Sequence, residues 1–367
     1  GSDALSGGSQ VCLLVATAVC VLTGMAGFHR PWKDFELAIT NNIAGVSTAL
    51  IILLIIGALS GAWMVSGVVP TLIYYGIQVI HPHFFLVSTC IICAVVSVMT
   101  GSSWTTIATI GIALMGIGKA QGFSEGWIAG AIISGAYFGD KVSPLSDTTI
   151  LASSVTDTPL FTHIRYLMIT TVPSLVITLI IFTIAGLSHE ATDTGHIAEY
   201  TRILSDKFHI SWWLMIVPVV TAILIARKVP SIITLFVSTA LATVFALIFQ
   251  PGLLCEIAGQ GAEGIAALFK GGMGMLYGGT QLETGNAEIN ELISTRGMAG
   301  MMNTIWLIIC AMCFGGAMTA GGMLGSITSV FVRFTKKAGR NGVIHSCIGL
   351  VPESCYSRSI YIHYPNG

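Results

Sequence analysis

The sequence predicts an all-α fold, a polytopic transmembrane helical bundle built from two inverted-topology repeats with broken helices. Three observations lead to this prediction. Of the 367 residues, 54% are hydrophobic and only 9% are charged, whereas soluble domains carry roughly 25% charged residues. Long apolar runs recur along the chain, and one 38-residue segment recurs at a constant offset.

The apolar runs predict the membrane spans, because a bilayer-spanning helix needs about 20 mostly apolar residues. The candidate runs are Val11–Gly27, Ala44–Gly61, Phe84–Val98, Trp127–Phe138, Tyr166–Leu187, Trp212–Ile225, Ser231–Phe249 and Asn303–Gly322. The ten-residue alternation that is typical of a transmembrane β-barrel does not occur in them, so the spans are expected to be helical.

Composition excludes several classes of function. A formal net charge of -1 argues against nucleic acid as a partner, because nucleic acids are bound by basic surfaces. A phosphate-binding Gly-rich loop followed by Lys does not occur, which disfavours ATP-driven transport. The spaced pairs Cys90/Cys93 and Cys310/Cys313 lie in apolar runs without His or carboxylate neighbours, and we interpret them as small buried residues. We therefore expect no enzyme activity and no cofactor.

The repeat relates residues 36–73 to residues 291–328 without a gap, at a shift of 255. Identical pairs include Glu36/Glu291, Leu37/Leu292, Ala44/Ala299, Gly45/Gly300, Gly61/Gly316, Ala62/Ala317 and Gly67/Gly322. The loop before the first copy is basic (His29–Lys33), while the corresponding loop of the second copy is acidic (Glu283–Glu288). After the copies the bias reverses. Since short basic loops stay cytoplasmic, the copies are expected to cross the membrane in opposite senses, as in secondary transporters.

The repeat gives the expected organisation of the chain. Residues 1–27 form an N-terminal segment with the first transmembrane helix, residues 28–187 the first repeat, residues 188–209 a hydrophilic connecting loop, residues 210–341 an incomplete second repeat, and residues 342–367 an atypical tail.

The strongest candidate site is the polar segment Gly139–Thr149, which lies between apolar helix-forming stretches. Buried charges cost about 2.5–3.5 kcal/mol each on insertion scales and usually face a functional cavity. Gly139 and Pro144 are predicted to interrupt the helix and free backbone oxygens. Asp140 and Asp147 are predicted to bind Na⁺ or H⁺, with Lys141 as a charge partner. The hydroxyl ligands expected beside them are Ser143, Ser146 and Thr148. In the alternative, Asp140–Lys141 is a buried ion pair and Asp147 caps a helix.

A second polar cluster at Thr100–Thr106 interrupts another apolar run. Its candidate ligands are Ser102, Ser103 and Thr105, in an unwound segment that faces the first. In the alternative, these hydroxyls bond back to their own helix. Lys119 and Glu125 flank a short turn between helices.

The segments GAYFGDKVSPLSDTT, TGSSWTT and GAWMVSGVVPTLIYYG closely resemble the NhaC family of Na⁺/H⁺ antiporters, which includes relatives that exchange malate and lactate. The resemblance covers about Trp32 to Lys337. It implies a multi-pass protein of the bacterial inner membrane, with ten or so helices and proton-coupled cation exchange. The implied partners are Na⁺, H⁺, the lipid bilayer and, in the alternative, small carboxylates, with a homodimer as a further option.

The tail departs from this family, whose members continue with an Asn-rich stretch containing Asp-Gln-Tyr. Read from the second base of each codon, RSIYIHY can encode DQYISII, and the residues before it can encode FLNLVTA. The resulting TADQYISII falls opposite TGSSWTTIA of the first repeat. We therefore hypothesise a frameshift near Arg340–Ile344.

The expected mechanism is competition of Na⁺ and H⁺ for the carboxylates while the two repeats rock against each other. The alternatives are a malate/lactate antiporter and a truncated remnant without transport.

Overall fold

The structure, a computed structural model, describes most of the chain. It covers residues 7–144, 146, 148–149, 152–153, 158–188, 194–227, 229–259, 264–286, 289–290 and 293–337. Asp147 and the tail therefore lie outside the described residues, and the predictions made for them stay predictions.

Helices dominate the described residues, as the apolar runs predict. They are α1 (Gly8–Phe28), α2 (Trp32–Val65), α3 (Val68–Val79), α4 (Phe85–Thr100), α5 (Ser103–Thr106), α6 (Ile112–Ala120), α7 (Glu125–Val142), α8 (Leu160–Leu187), α9 (Thr194–Lys207), α10 (Ile216–Ala226), α11 (Ser231–Phe249), α12 (Pro251–Ala258), α13 (Gly264–Tyr277), α14 (Gly297–Ala320) and α15 (Met323–Lys337). A π-helical segment, Ile107–Gly111, joins α5 to α6. One isolated antiparallel bridge pairs Thr280 with Thr295.

Six of these helices are long and apolar enough to cross a membrane, which confirms the all-α polytopic class. The candidate spans are Gly8–Phe28, Trp32–Val65, Pro82–Thr100, Leu160–Leu187, Ser231–Phe249 and Gly297–Ala320. A seventh span results if Thr201–Lys207 and Trp212–Ala226, which meet at 94°, count as one. The predicted span Trp127–Phe138 lies in α7, which does not reach this level of hydropathy because its polar end includes Asp140 and Lys141.

The described residues fall into two compact units. The first comprises residues 7–51 and 301–337. In it, α1 packs against the start of α2 where Gly24 leaves room for the Phe35 ring, and α2 packs against α14 where Gly316 lies against the Ile39 backbone. The Asn42 amide donates to the Met312 carbonyl at 3.4 Å.

The second unit comprises residues 52–300 and contains the candidate site. Its core includes a buried hydrogen-bond network in which Trp63 Nε1 and Thr221 Oγ1 both donate to Ser238 Oγ, at 3.0 and 2.7 Å. This network joins α2, α10 and α11. The stretch predicted as a connecting loop contains the helix α9, whose Leu204 is fully buried.

Glycines set how α4, α6 and α7 pack in the second unit. A Cβ at Gly139 of α7 would lie 2.5 Å from the Ser97 Cβ of α4, and a Cβ at Gly135 would lie 2.9 Å from the Cys93 Cβ. Residue numbers rise together along this contact, so α4 and α7 run parallel. A Cβ at Gly118 of α6 would lie 2.7 Å from both Phe85 and Ile128. The chain therefore reverses after α4 and returns antiparallel to α4 and α7.

The sequence repeat coincides with a repeated local structure. Helix α2 ends at Val65 and α3 begins at Val68, while α14 ends at Ala320 and α15 begins at Met323, so both boundaries are shifted by 255. The intervening Gly67 and Gly322 both adopt left-handed backbone, with φ of 85° and 71°, which glycine tolerates best. The hydrogen bond from Ser66 N–H to Ala62 O has a counterpart 255 residues later, in the second copy. The bond from Ser326 N–H to Gly322 O has a counterpart 255 residues earlier, in the first copy. The opposite membrane orientation of the copies stays a prediction.

Candidate functional site

The chain reverses at the polar cluster that follows α4. Gly101 has a left-handed φ of 65° and its N–H donates to Ser97 O, which closes α4. The Thr100 hydroxyl lies 3.1 Å from both Ser102 O and Ser102 N and so holds the turn. Ser102 is the N-cap of α5, where its Oγ accepts from Thr105 N at 3.3 Å and from the Thr105 hydroxyl at 3.1 Å. Thus Ser102 and Thr105, predicted as ion ligands, bond to each other to form the cap.

Ser103 binds the carboxylate of Asp140. Its hydroxyl donates to Asp140 Oδ2 at 2.7 Å, and its backbone N–H donates to the same oxygen at 3.2 Å. The first N–H groups of a helix have no partner within the helix, so the start of α5 supplies a donor that the carboxylate takes. The predicted facing of the two polar segments is therefore found in the structure, and these two residues carry it.

The second carboxylate oxygen of Asp140, Oδ1, differs from Oδ2 in its hydrogen bonding. Among the described residues, Oδ1 has no hydrogen-bond partner, and the side chain is neither fully buried nor fully exposed. Hydrogen bonds to Oδ2 fix the position of the carboxylate and leave Oδ1 available to a proton or a cation.

Asp140 lies near the C-terminal end of α7, two residues before the helix ends at Val142. Gly139 is inside the helix, so it does not interrupt the helix as predicted, but instead allows the close approach of α4. Pro144 lies beyond the end, in the irregular segment, which agrees with its effect on helices. Ser143 is the C-cap, and its buried hydroxyl donates to Val98 O at 2.8 Å.

Carbonyl oxygens collect at this end of α7. The last carbonyls of a helix lack helical partners and carry partial negative charge, which favours cations nearby. The buried Thr149 hydroxyl lies 3.2 Å from Lys141 O and 3.5 Å from Asp140 O. Ser146 is fully buried and its Oγ lies 2.9 Å from that of the exposed Thr148.

Lys141 does not pair with Asp140 in the structure. Its side chain is exposed, and within the described part of the chain it forms no ion pair. The alternative of a buried ion pair between these neighbours is therefore not supported. The Lys141 side chain lies at the surface, and the hydrogen-bond partner of the Asp140 carboxylate is Ser103.

The structure adds three polar residues to the site that the candidate set left out: Ser97, Thr100 and Thr149. The Ser97 hydroxyl is fully buried and donates to Ala136 O at 2.5 Å, which fixes α7 against α4 one turn before Asp140. A spacing of three residues between Ser97 and Thr100, at the end of an apolar run, is the signal that could have found the first two. Thr149 is at the end of the predicted segment, and it lies buried against the carbonyl oxygens there, whereas the predicted ligand Thr148 is exposed.

The chain is similar in sequence to several known proteins. The model of the Na⁺/H⁺ antiporter family matches residues 135–353, which include Asp140. The chain is 37% identical to the malate-2H⁺/Na⁺-lactate antiporter of Bacillus subtilis, over 90% of this chain and 68% of that protein. It is also 37% identical to the Na⁺/H⁺ antiporter NhaC of Alkalihalophilus pseudofirmus, over 90% of this chain and 67% of the relative. The chain is 32% identical to the Na⁺/H⁺ antiporter NhaC of Bacillus subtilis, over 89% of this chain and 70% of that protein. No solved structure matches the chain.

Proposed function

This chain belongs to the Na⁺/H⁺ antiporter family, and from that premise we propose that it exchanges Na⁺ for H⁺ by alternating access, with Asp140 as the carboxylate that carries either ion. The chain spans about two thirds of the length of these relatives. The family resemblance inferred from the Gly-Asp-Lys-x-Ser-Pro-Leu-Ser-Asp segment is confirmed.

One observation carries the proposal. The Asp140 carboxylate has one oxygen held by two donors of Ser103 and the other oxygen without a partner among the described residues. Asp140 is only half-buried, and Oδ1 is not one of the buried polar atoms that lack a partner among the described residues, so this oxygen is open to water and to an arriving ion. A carboxylate that exchanges ions needs one open oxygen and a fixed orientation.

The surroundings of Asp140 suit a small alkali cation. Oδ1 and the carbonyl oxygens at the end of α7 are hard oxygen ligands for a cation, and the C-terminal end of a helix favours positive charge. A proton on Oδ1 and a sodium ion beside it cannot be held together, so binding of one displaces the other. Ser103 keeps the carboxylate oriented in both states through Oδ2. We further propose Asp147 as a second carboxylate of this site.

The test is the loss of exchange when the charge is removed. Asp140→Asn keeps the size of the side chain but cannot take up and release a proton, so we expect sodium-dependent proton movement in proteoliposomes to fall to the level of empty vesicles. The control is Asp206→Asn, which removes an exposed carboxylate of α9 and should leave exchange unchanged. Retention of exchange in Asp140→Asn would refute the proposal.

A second candidate function is exchange of small carboxylates together with Na⁺ and H⁺. It is favoured by the 37% identity to a protein named as a malate-2H⁺/Na⁺-lactate antiporter and by the exposed, unpaired Lys141 among the described residues. Adding lactate or malate to the same vesicles distinguishes the two. Stimulation or inhibition of sodium-dependent proton movement supports carboxylate exchange, whereas no response supports exchange of Na⁺ and H⁺ alone.

A further inference from the structure

A partly polar cavity of about 390 Å³ lies in the second unit beside the helices that form the site. One wall is the π-helical segment and α6, another is the N-terminal half of α7, and the polar residues Ser60, Ser294 and Thr295 contribute to the rest. Nothing in the exchange mechanism above uses this cavity.

The cavity follows the helix that begins at Ser103. Ile107 and Gly111 line its inner end, and Lys119 and Glu125 line its other end. Ile107 is four residues from Ser103, which is about 6 Å along a helix. The cavity thus approaches the donor of the Asp140 carboxylate to within about one helical turn. The inner end is formed by π-helical residues, and π-helical turns are frequent at functional sites because they widen the helix locally.

An ion pair lies at the outer end. Lys119 Nζ and Glu125 Oε1 are 2.6 Å apart, with 21% and 64% of their side chains exposed. The carboxylate is therefore the more accessible partner and faces water, while Lys119 anchors it from the end of α6. A carboxylate at the entrance of a cleft raises the local concentration of cations.

We propose that this cavity is the aqueous pathway by which hydrated monovalent cations reach Asp140 from one face of the membrane, with Glu125 as the cation-attracting residue at its entrance. The proposal rests on the proposed exchange function. In the structure the pathway ends at α5, whose single turn separates it from Asp140. Rotation or shortening of the adjoining π-helical segment would open that last turn.

A second cavity on the same helix provides a matched control. It measures about 470 Å³, and on this helix Leu114 and Ile117 are among the residues that line it. Its other walls are almost entirely apolar, with Trp63, Ile92 and Met99 among them. Residues of this helix therefore face two cavities that differ in polarity. Met115 in the first cavity and Ile110 of the π-helical segment in the second are both half-buried, so the polarity of the cavity distinguishes them more than burial does.

The first test measures access directly and does not depend on transport. We would introduce Met115→Cys, which faces the proposed pathway, and Ile110→Cys, which faces the apolar cavity. The full chain in membrane vesicles would be treated with a charged, membrane-impermeant thiol reagent, and peptide-resolved mass spectrometry would separate the new sites from the native cysteines. Because charged reagents are excluded from apolar space, we expect labelling at position 115 to be about tenfold faster or more.

Equal labelling at both positions would overturn the pathway. Rapid labelling at position 115 without any sodium-dependent proton movement by the unaltered chain would instead contradict the exchange function while the pathway stands. The two failures are thus distinguishable.

The second test concerns the entrance charge. Glu125→Gln leaves Lys119 positive, so the Na⁺ concentration for half-maximal exchange should rise about threefold, a larger effect than on the maximal rate. Lys119→Met should lower it, and the double variant should lie close to the unaltered protein. Both shifts should shrink at high ionic strength, because salt screens exposed charges. Shifts in the same direction for both single variants would overturn the role of Glu125.

Discussion

The contact between Ser103 and Asp140 shows what the sequence can and cannot predict about single residues. Both residues were candidates because charges and clustered hydroxyls are unusual in apolar sequence. Their pairing requires two helices to end at the same place, and no local pattern contains that information. Ser102, Thr105 and Ser143 have the same composition signal, but their hydroxyls cap helices or bond to backbone, which is the use that the alternative interpretation gave to such residues.

A substitution at Ser103 tests whether its contact orients the carboxylate. Ser103→Ala removes the hydroxyl donor and keeps the backbone N–H, and hydrogen bonds to charged groups contribute about 1.5–3 kcal/mol. We therefore expect the Na⁺ concentration for half-maximal exchange in proteoliposomes to rise about tenfold or more.

Ser103→Thr restores the hydroxyl and serves as the matched variant, which should recover most of the affinity. If Ser103→Ala and Ser103→Thr behave alike, the hydroxyl does not orient Asp140.

At the scale of the elements, the close packing of α4 on α7 positions the site. Gly135 and Gly139 lie one turn apart on the same face, a spacing that lets helix backbones approach closely in membranes. The spacing is visible in the sequence, but our interpretation of Gly139 as a helix break gave it the wrong role. The helix continues past Gly139 through Asp140 and Lys141 and ends at Val142.

Two glycines of α7 allow a controlled test of this packing. Gly139→Ala would place a methyl group against Ala94, Ser97 and Val98 of α4, whereas Gly130→Ala meets nothing within 4 Å. Overpacking costs about 1–3 kcal/mol, so we expect the first variant to lower the melting temperature of the detergent-purified protein by several degrees.

The second variant gains helix propensity and should melt at the same temperature or slightly higher. Equal melting temperatures for the two variants would mean that α4 and α7 are not held by the glycine contact.

The paired breaks at Gly67 and Gly322 show the opposite case, in which the sequence predicts an element well. The aligned segments place glycine at both positions, and both have the left-handed backbone that only glycine adopts readily. What differs is the environment. A Cβ at Gly67 would lie 2.7 Å from Gln250 Nε2 and 3.2 Å from Leu214 Cδ1, whereas Gly322 has open space. Repetition of a backbone conformation can be read from sequence, but its packing cannot.

At the scale of the whole molecule, composition and apolar runs predict the helical membrane class because the bilayer allows few alternatives. The number of spans is harder. Only six described helices meet the length and hydropathy of a span, because α6 is short and α7 carries the polar residues of the site. The polar residues of the candidate site thus lower the mean hydropathy of α7 below the level expected of a membrane span.

The sidedness of the molecule is the remaining prediction. Basic residues before the first copy of the repeat (Lys33) and at the end of the second (Lys336) place both positions in the cytoplasm. The loop at His81 and the acidic loop at Glu283 should then lie outside the cell. Gln121 Nε2 donates to Ile80 O at 2.7 Å, which ties the turn between α6 and α7 to the loop at His81. The entrance at Glu125 is therefore expected on the outer face.

Single cysteines at positions 33, 81, 283 and 336 test this arrangement with an impermeant thiol reagent. We expect positions 81 and 283 to be labelled in intact cells and positions 33 and 336 only in inside-out vesicles. The reagent should reach Met115→Cys from the same side as position 81, because the ion pair and that loop share one end of the helices. Labelling of positions 33 and 336 from opposite sides would contradict the inverted orientation of the two copies. Labelling of position 115 only from the side opposite to position 81 would place the entrance of the pathway at the other face.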